Sequence, residues 1–155
     1  MTETDHLLLR EQACFALYAA SRAVTDVYRP LLTELDLTYP QYLVLLVLWE
    51  EDSQPVRQIG AALQLDYGTV SPLLKRLETR GLIARRRQAD DERTVLVSLT
   101  GDGVALKQRA KDIPSAIGCA LGLEDDEARN SLIELLRAVT ASAKRSSTGC
   151  TKGEI

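Results

Sequence analysis

The chain switches its hydrophobic period once and then switches back, and this reversal limits the folds open to it. Up to about residue 80, apolar groups recur at helical spacing. Leu17, Ala20, Val24, Val27 and Leu31 form one stripe, and Tyr42 to Trp49 is apolar nearly all round. Val56, Ile59 and Leu63 form another face, and so do Val70, Leu73, Leu74 and Leu77. Then LIARRR and TVLVSL flank the polar loop QADDER, and Val95, Val97 and Leu99 alternate with outward residues, the pattern of a β-hairpin. After Thr100-Gly101 the helical period returns, with Leu106, Ala110, Ile113 and Ile117 on one stripe and Leu132, Leu135, Leu136, Val139 and Ala143 on another.

Local signals punctuate these runs. Pro30 should kink or end the first helix near Arg29, because proline removes a donor and restricts the residue before it. Thr38-Tyr39-Pro40 reads as the N-cap and first turn of the second helix. Gln54-Pro55 opens the next unit, whose helical face is Val56, Ile59 and Leu63, and Gln64 to Tyr67 connects it to a third helix, predicted over Gly68 to Arg80 with Gly81 as C-terminal cap. Two short helices about four residues apart have helix-turn-helix dimensions. Helix, turn, helix and hairpin in that order make a winged helix. Pro114 should bend the helix that follows.

The expected fold is therefore mainly α (α+β): a winged helix-turn-helix over about 40–100, with helices about 7–35 and 102–145 on either side. All of it would form one domain, 1–145, followed by a flexible tail, 146–155. The flanking helices carry more apolar surface than a lone DNA-binding module needs, and an intertwined homodimer would bury it. No apolar run is long enough to span a bilayer, and the N-terminus has no basic stretch ahead of its leucines. The expectation is a cytoplasmic protein with no membrane partner, no metal and no cofactor.

Net charge is −3 over 155 residues, so the whole-molecule field does not advertise a polyanion partner. The local distribution does. Lys75, Arg76, Arg80, Arg85, Arg86, Arg87 and Arg93 all fall between Asp66 and Arg93, on the predicted recognition helix and wing. Gly68, Thr69 and Ser71 supply small polar contacts where the recognition helix begins, nearest the base edges of double-stranded DNA. Arg93 follows the acidic tip Asp90-Asp91-Glu92 and is placed to enter a minor groove. Asp91 is then expected to pair with Arg93 or a nearby backbone N–H and fix the arginine's direction. The competing account of the cluster is a solvated basic face that binds nothing.

The segment ACFALYAASRAVTDVYRPLLTELDLTY poses a separate question, because helices need neither thiols nor phenols to pack. Cys14 and Tyr18 are four residues apart on one face, about 6 Å along the axis. Tyr28 points roughly the same way but lies about 21 Å further on, out of reach within one chain. If the first helices of two subunits ran antiparallel, each Cys14 would meet the other chain's Tyr28, and Tyr39 would join from the second helix. Phenol O–H groups donating to sulfur favour the thiolate, the form that attacks a peroxide. From the residues alone the alternative stands equally: Cys14 as a small packing residue, with tyrosines that merely pack. Three cysteines at 14, 119 and 150 make no disulfide framework or close metal-ligand spacing. Phe15, Leu17 and Trp49 are candidates to line a site for bulky organic peroxides.

The stretches CFALYAASR, YRPLLTELDLTYPQYLVLLVLWE, LDYGTVSPLLKRLETRGLIARRR, DDERTVLVSLT and KDIP resemble the MarR family of winged-helix repressors. The first two resemble its organic hydroperoxide sensors, the OhrR subfamily. The resemblance covers roughly residues 7–145. It implies that Cys14 is the peroxidatic cysteine, that Tyr28 and Tyr39 of the opposite subunit support its thiolate, and that Tyr18 belongs to the same region. It also implies a resolving role for Cys119, as in the two-cysteine sensors, while Cys150 or an external thiol remains the competitor. Asp66, Gly68, Thr69, Ser71 and Pro72 follow the sensor-type recognition helix, with Lys75, Arg76, Arg86 and Arg93 as DNA contacts. Tyr67 departs from the pattern, since relatives often carry a small Ser there.

The function implied is a repressor that releases a pseudo-palindromic operator when an organic hydroperoxide oxidises Cys14. A regulator released by a small phenolic or lipophilic ligand, with Cys14 a packing residue, is the alternative. A thiol peroxidase fits less well, because a turnover enzyme has no use for a recognition helix and wing.

Overall fold

Thr38 sets the register of the most buried helix. In the computed structural model, which describes residues 7–149, the Thr38 hydroxyl accepts from the Gln41 backbone N–H (3.4 Å) and the Gln41 side chain accepts from the Thr38 N–H (3.0 Å). This reciprocal pair is a capping box, and replacing such a cap costs about 0.5–2 kcal/mol. With Pro40 in the first turn, the box starts helix α2, Tyr39–Glu50, where the sequence puts it. Tyr42, Val44, Leu45 and Leu48 of this helix are essentially inaccessible to water. An apolar run without a polar stripe belongs at the centre of a helical core.

Before it, a single 3₁₀ turn at Leu9–Glu11 leads into α1, Ala13–Thr33. The helix does not end near Arg29 but runs through Pro30 to Thr33. Proline removes one donor, and the remaining turn is repaid by Leu32, which is 2% exposed and is the one buried residue of α1. The corner that follows is tightly bonded. Leu35 and Leu37 N–H groups both donate to the Leu32 carbonyl, and Asp36 between them adopts φ 53°.

Residues 54–100 form the predicted helix-turn-helix and wing, with adjusted edges. Gln54–Pro55, which opens this unit, is a short strand, β1, and α3 follows directly as Val56–Leu63. Gln64 takes the left-handed conformation (φ 57°) that ends α3. Helix α4 is Tyr67–Thr79, one residue earlier than expected, because the Asp66 carboxylate caps it by accepting from the Thr69 N–H (2.8 Å). Gly81 (φ 72°) ends that helix as predicted. Strands β2, Ile83–Gln88, and β3, Asp91–Leu99, pair antiparallel in the sheet order β1-β3-β2. The strands reach further than the loop QADDER suggested: Gln88 faces Asp91, and only Ala89-Asp90 turn the chain.

Thr100 caps α5, Gly101–Ala110, accepting from the Gly103 N–H (3.1 Å). A side chain at Gly103 would begin 2.1 Å from the Leu82 carbonyl oxygen, so glycine alone allows this approach. The Gly103 carbonyl also accepts from the Trp49 indole (2.9 Å).

The chain divides into two compact units at Ile113/Pro114. Helix α6 spans Ile113–Ala120. Pro114 lies in its first turn and starts a new helix instead of bending the old one, since a first-turn proline forfeits no intrahelical bond. The second unit continues through Gly122 (φ 64°) to α7, Asp126–Gly149, whose first turn Asp125 caps at the Ala128 N–H (2.8 Å). Helix α7 therefore extends to Gly149, past residue 146 where a tail was expected to begin. Cys150 lies outside the described residues.

Candidate functional site

Two sets of residues make up the site, one built for anions and one for sulfur chemistry. The first begins with α4. Val70, Leu73, Leu74 and Leu77 are buried, and Tyr67, Pro72, Lys75 and Arg76 stand exposed on the rest of the helix. Asp66 is spoken for: besides capping, it accepts from the Thr69 hydroxyl (3.1 Å), so both residues brace the helix start. Gly68 keeps that start narrow, since a Cβ there would lie 3.2 Å from the Asp66 carboxylate. Ser71 is half-buried.

The seven basic residues do not act alike. Arg85 Nε and Nη2 grip the Glu78 carboxylate at 2.9 and 2.7 Å, and its backbone N–H adds a third bond (3.3 Å). The Arg85 side chain holds the Glu78 carboxyl below its usual range. Arg80 is turned toward the α1–α2 corner. Strand alternation sends Arg86 to the face opposite Arg85. Lys75, Arg76, Arg86, Arg87 and Arg93 make no ion pair among the described residues and stay available.

The wing tip is ordered as the sequence suggested. Asp91 accepts from the Thr94 hydroxyl (2.7 Å) and the Arg93 backbone N–H (3.0 Å). These two bonds lower its pKa, Thr94 contributing most. Arg93 is thereby fixed through its main chain while its guanidinium stays free. Between wing, α3 and the start of α4 lies a cleft of about 650 Å³, lined by Arg57, Gln58, Tyr67, Asp91, Arg93 and Thr94. Arg57 is a cation the sequence reading missed. It stands on the first helix of the helix-turn-helix, outside the basic cluster, and spacing alone gave no reason to single it out.

The second set lies on α1 and α2. Cys14 is exposed in the first turn of α1. Tyr18 is 59% exposed, and its ring partner is the Arg22 guanidinium, 5.5 Å from the centroid. Further along, Tyr28 and Tyr39 meet with ring centroids 4.6 Å apart. Tyr42 packs 5.8 Å from Tyr28 and edge-on to Trp49 at 6.2 Å. Burial, then the neighbouring Tyr39 and Tyr42, push the Tyr28 phenol up to about 12. Burial also raises Tyr39 and Tyr42. All three remain protonated donors at neutral pH. Tyr42 was read only as part of an apolar run, although it stands three residues from Tyr39 on the same helix face.

A cavity of about 380 Å³ opens beside the phenol pair, lined by Leu32, Leu37, Thr38 and Pro40 with Tyr28 and Tyr39. This is not the lining proposed from Phe15, Leu17 and Trp49. Phe15 and Leu17 are exposed, and the Trp49 indole is bonded to Gly103. Cys119, exposed near the end of α6, has its thiol pKa raised by Glu124, which accepts its S–H and repels the thiolate. It rests as a thiol. Among the described residues no cluster of His, Cys, Asp and Glu could hold a metal, and no helix is long and apolar enough to cross a membrane.

The family model for the transcriptional regulator SarA/Rot matches residues 26–110. The organic hydroperoxide resistance transcriptional regulator of Bacillus subtilis (strain 168) is 55% identical over 113 residues, 73% of this chain and 77% of that one. The structure of reduced AbfR bound to DNA superposes with a TM-score of 0.74 at 36% identity, over 87% of this chain and 94% of the other. Disulfide-formed AbfR gives a TM-score of 0.62 at 36% identity, over 88% and 92%. The chain belongs to the MarR family of winged-helix transcriptional regulators, in its organic hydroperoxide sensor branch.

Proposed function

We propose that the chain is a homodimeric, cytoplasmic repressor that binds a pseudo-palindromic operator while reduced and releases it when an organic hydroperoxide oxidises Cys14. The observation that carries this reading is an exposed thiol at the start of α1, together with a protonated phenol pair formed between α1 and α2, in a chain whose α4 and wing offer unpaired cations. In a dimer with antiparallel first helices, the partner subunit's Tyr28 and Tyr39 donate to the Cys14 sulfur. The thiolate attacks the peroxide, an S–O bond forms as the O–O bond breaks, and the departing alkoxide takes a proton to leave as an alcohol. The partner subunit's Cys119 sulfur then attacks the sulfenic sulfur of Cys14, the S–S bond forms as the S–O bond breaks, and the departing hydroxide takes the thiol proton to leave as water. The cavity beside the phenols, partly apolar, suits a peroxide with an organic body.

On the DNA side, the exposed residues of α4 (Tyr67, Gly68, Pro72, Lys75 and Arg76) enter the major groove, with Thr69 and Ser71 at its edge. Arg86 and Arg93 meet the backbone or minor groove, and Asp66 and Asp91 act by holding helix and wing in place. The supporting precedent is AbfR, solved reduced on DNA and in a disulfide form.

Operator binding is measured before and after cumene hydroperoxide for wild type, Cys14→Ser and Cys119→Ser, with a non-reducing gel. Loss of binding that requires Cys14, with a dimer-sized band that requires Cys119, is the expected result. A wild type that keeps its DNA after full oxidation of Cys14 would sink the reading and leave a small-ligand regulator in its place.

A further inference from the structure

The Arg80 side chain begins one residue after the recognition helix and ends on the main chain of the α1–α2 corner. Its Nη2 donates to the Leu35 carbonyl (3.2 Å) and lies 3.3 Å from the Asp36 carboxylate. Its Nη1 donates to the Asp36 carbonyl. A guanidinium presents its donors in a fixed plane, so a grip on two successive carbonyls and a carboxylate defines a direction as well as a distance. The grip is partly shielded, the Arg80 side chain being 29% exposed.

Both ends of this strut are stiff. At the helix end, the Arg80 and Gly81 N–H groups return to the Arg76 and Glu78 carbonyls, and Leu82 N–H reaches Leu77. At the corner, Leu35 and Leu37 are buried and both bond to the Leu32 carbonyl, with Asp36 held at positive φ between them. Arg109 of α5 takes the next carbonyl, Glu34, at 2.9 Å. The corner is also where the two phenol-bearing helices join: Tyr28 lies one turn before its start and Tyr39 directly follows it. An open groove of about 700 Å³, bordered by Thr33, Asp36, Lys75 and Arg76, separates the corner from the outer face of α4. Apolar packing does not fill that gap, and Arg80 spans its edge.

We infer that Arg80 is a positioning residue, tying the recognition helix to the α1–α2 corner so that a displacement of the Tyr28–Tyr39 pair is delivered to α4. The inference rests on the sensing function proposed above and adds the residue through which the two sites are coupled. A planar guanidinium bonded at once to two main-chain carbonyls and a carboxylate resists a shift of the corner relative to α4, because re-aiming the side chain gives up part of that grip. Coupling of this kind is measured as a ratio of affinities in two states, and such ratios commonly span about 5–150-fold.

The test uses the full-length protein with Arg80→Gln, Arg80→Lys and Asp36→Asn. Operator affinity is measured reduced and after cumene hydroperoxide, and Cys14 oxidation is followed by mass spectrometry. Arg80→Gln should oxidise as wild type does and bind the operator when reduced, yet lose at least about fivefold of the wild-type affinity ratio. Asp36→Asn keeps both carbonyl acceptors and should retain most of the ratio. Arg80→Lys keeps the charge without the planar grip, and should resemble Arg80→Gln; it also serves if Arg80→Gln folds poorly. Equal losses of reduced and oxidised affinity would make Arg80 a stabiliser only and overturn the inference. An unchanged ratio in both Arg80 variants would overturn it as well. If wild type itself ignores oxidation, the sensing reading fails first and takes the inference with it, an outcome visible without any variant.

Discussion

A phenol supports a neighbouring thiolate only while it keeps its own proton, and the Tyr28 environment secures that. Burial raises its pKa to about 12, with Tyr39 and Tyr42 adding to the effect. Because the folded value exceeds the ordinary value near 10, folding holds the proton more tightly than the unfolded chain does. The associated stability is present in full below about pH 10 and is lost as pH rises toward 12. An ultraviolet phenolate titration should therefore end in a late phase near 12 that disappears in Tyr28→Phe. A Tyr28→Phe protein whose titration matches the wild type would contradict the assignment. Tyr28 and Tyr39 were legible in the sequence because polar-tipped rings in a helical stripe attract notice. Tyr42 was not, because inside an apolar run a phenol reads as one more core ring.

At the scale of the element, the wing shows how far alternation can be read. Period-two spacing separates Arg86 from Arg85 and Arg87, which leave β2 from the other face. It does not reveal that Arg85 turns back to Glu78 on α4, since that partner comes from another element. The consequence is a contrast between adjacent residues. Arg86→Gln should weaken operator binding and reduce the slope of log K against log salt by about 1, the signature of one lost phosphate contact. Arg85→Gln should leave the slope unchanged and lower the melting temperature by removing the clamp between α4 and β2. Equal salt slopes for Arg86→Gln and wild type would show that Arg86 faces water, not DNA. The same limit explains the misjudged edges elsewhere. Capping boxes and glycine caps are local and were read correctly at Thr38 and Gly81. The strand β1 exists only because β3 pairs with it, and no local pattern announces a two-residue strand. Pro30 and Pro114 were ambiguous for a related reason: whether a helix survives a proline depends on what the next turn buries.

At the scale of the whole molecule, two helices, one in each compact unit, carry rows of exposed apolar side chains. On α7, Leu132, Ile133, Leu135, Leu136 and Val139 are 37–62% exposed, and on α1 so are Phe15 (42%), Leu17 (39%) and Tyr18 (59%). The sequence showed these stripes but not their destination, since an amphipathic helix has the same period whether it covers its own core or another chain's. Scattered exposed leucines are ordinary; whole helical faces of them mark an interaction surface. If the α7 face joins two copies, Leu135→Asp places a charge where apolar contact is needed. The variant should sediment as a monomer at concentrations where wild type is a dimer. Its helix-turn-helix, in the other compact unit, should keep its circular dichroism and its weak affinity for a single half-site. Affinity for the full operator should fall by about a hundredfold or more, because two linked recognition helices gain from effective concentration what neither gains alone. Its Cys14 should also react more slowly with peroxide, since the supporting phenols would come from the missing subunit. A monomeric Leu135→Asp protein whose Cys14 still oxidises at the wild-type rate would place the thiolate's support within its own chain, and the antiparallel pairing of the first helices would have to be given up.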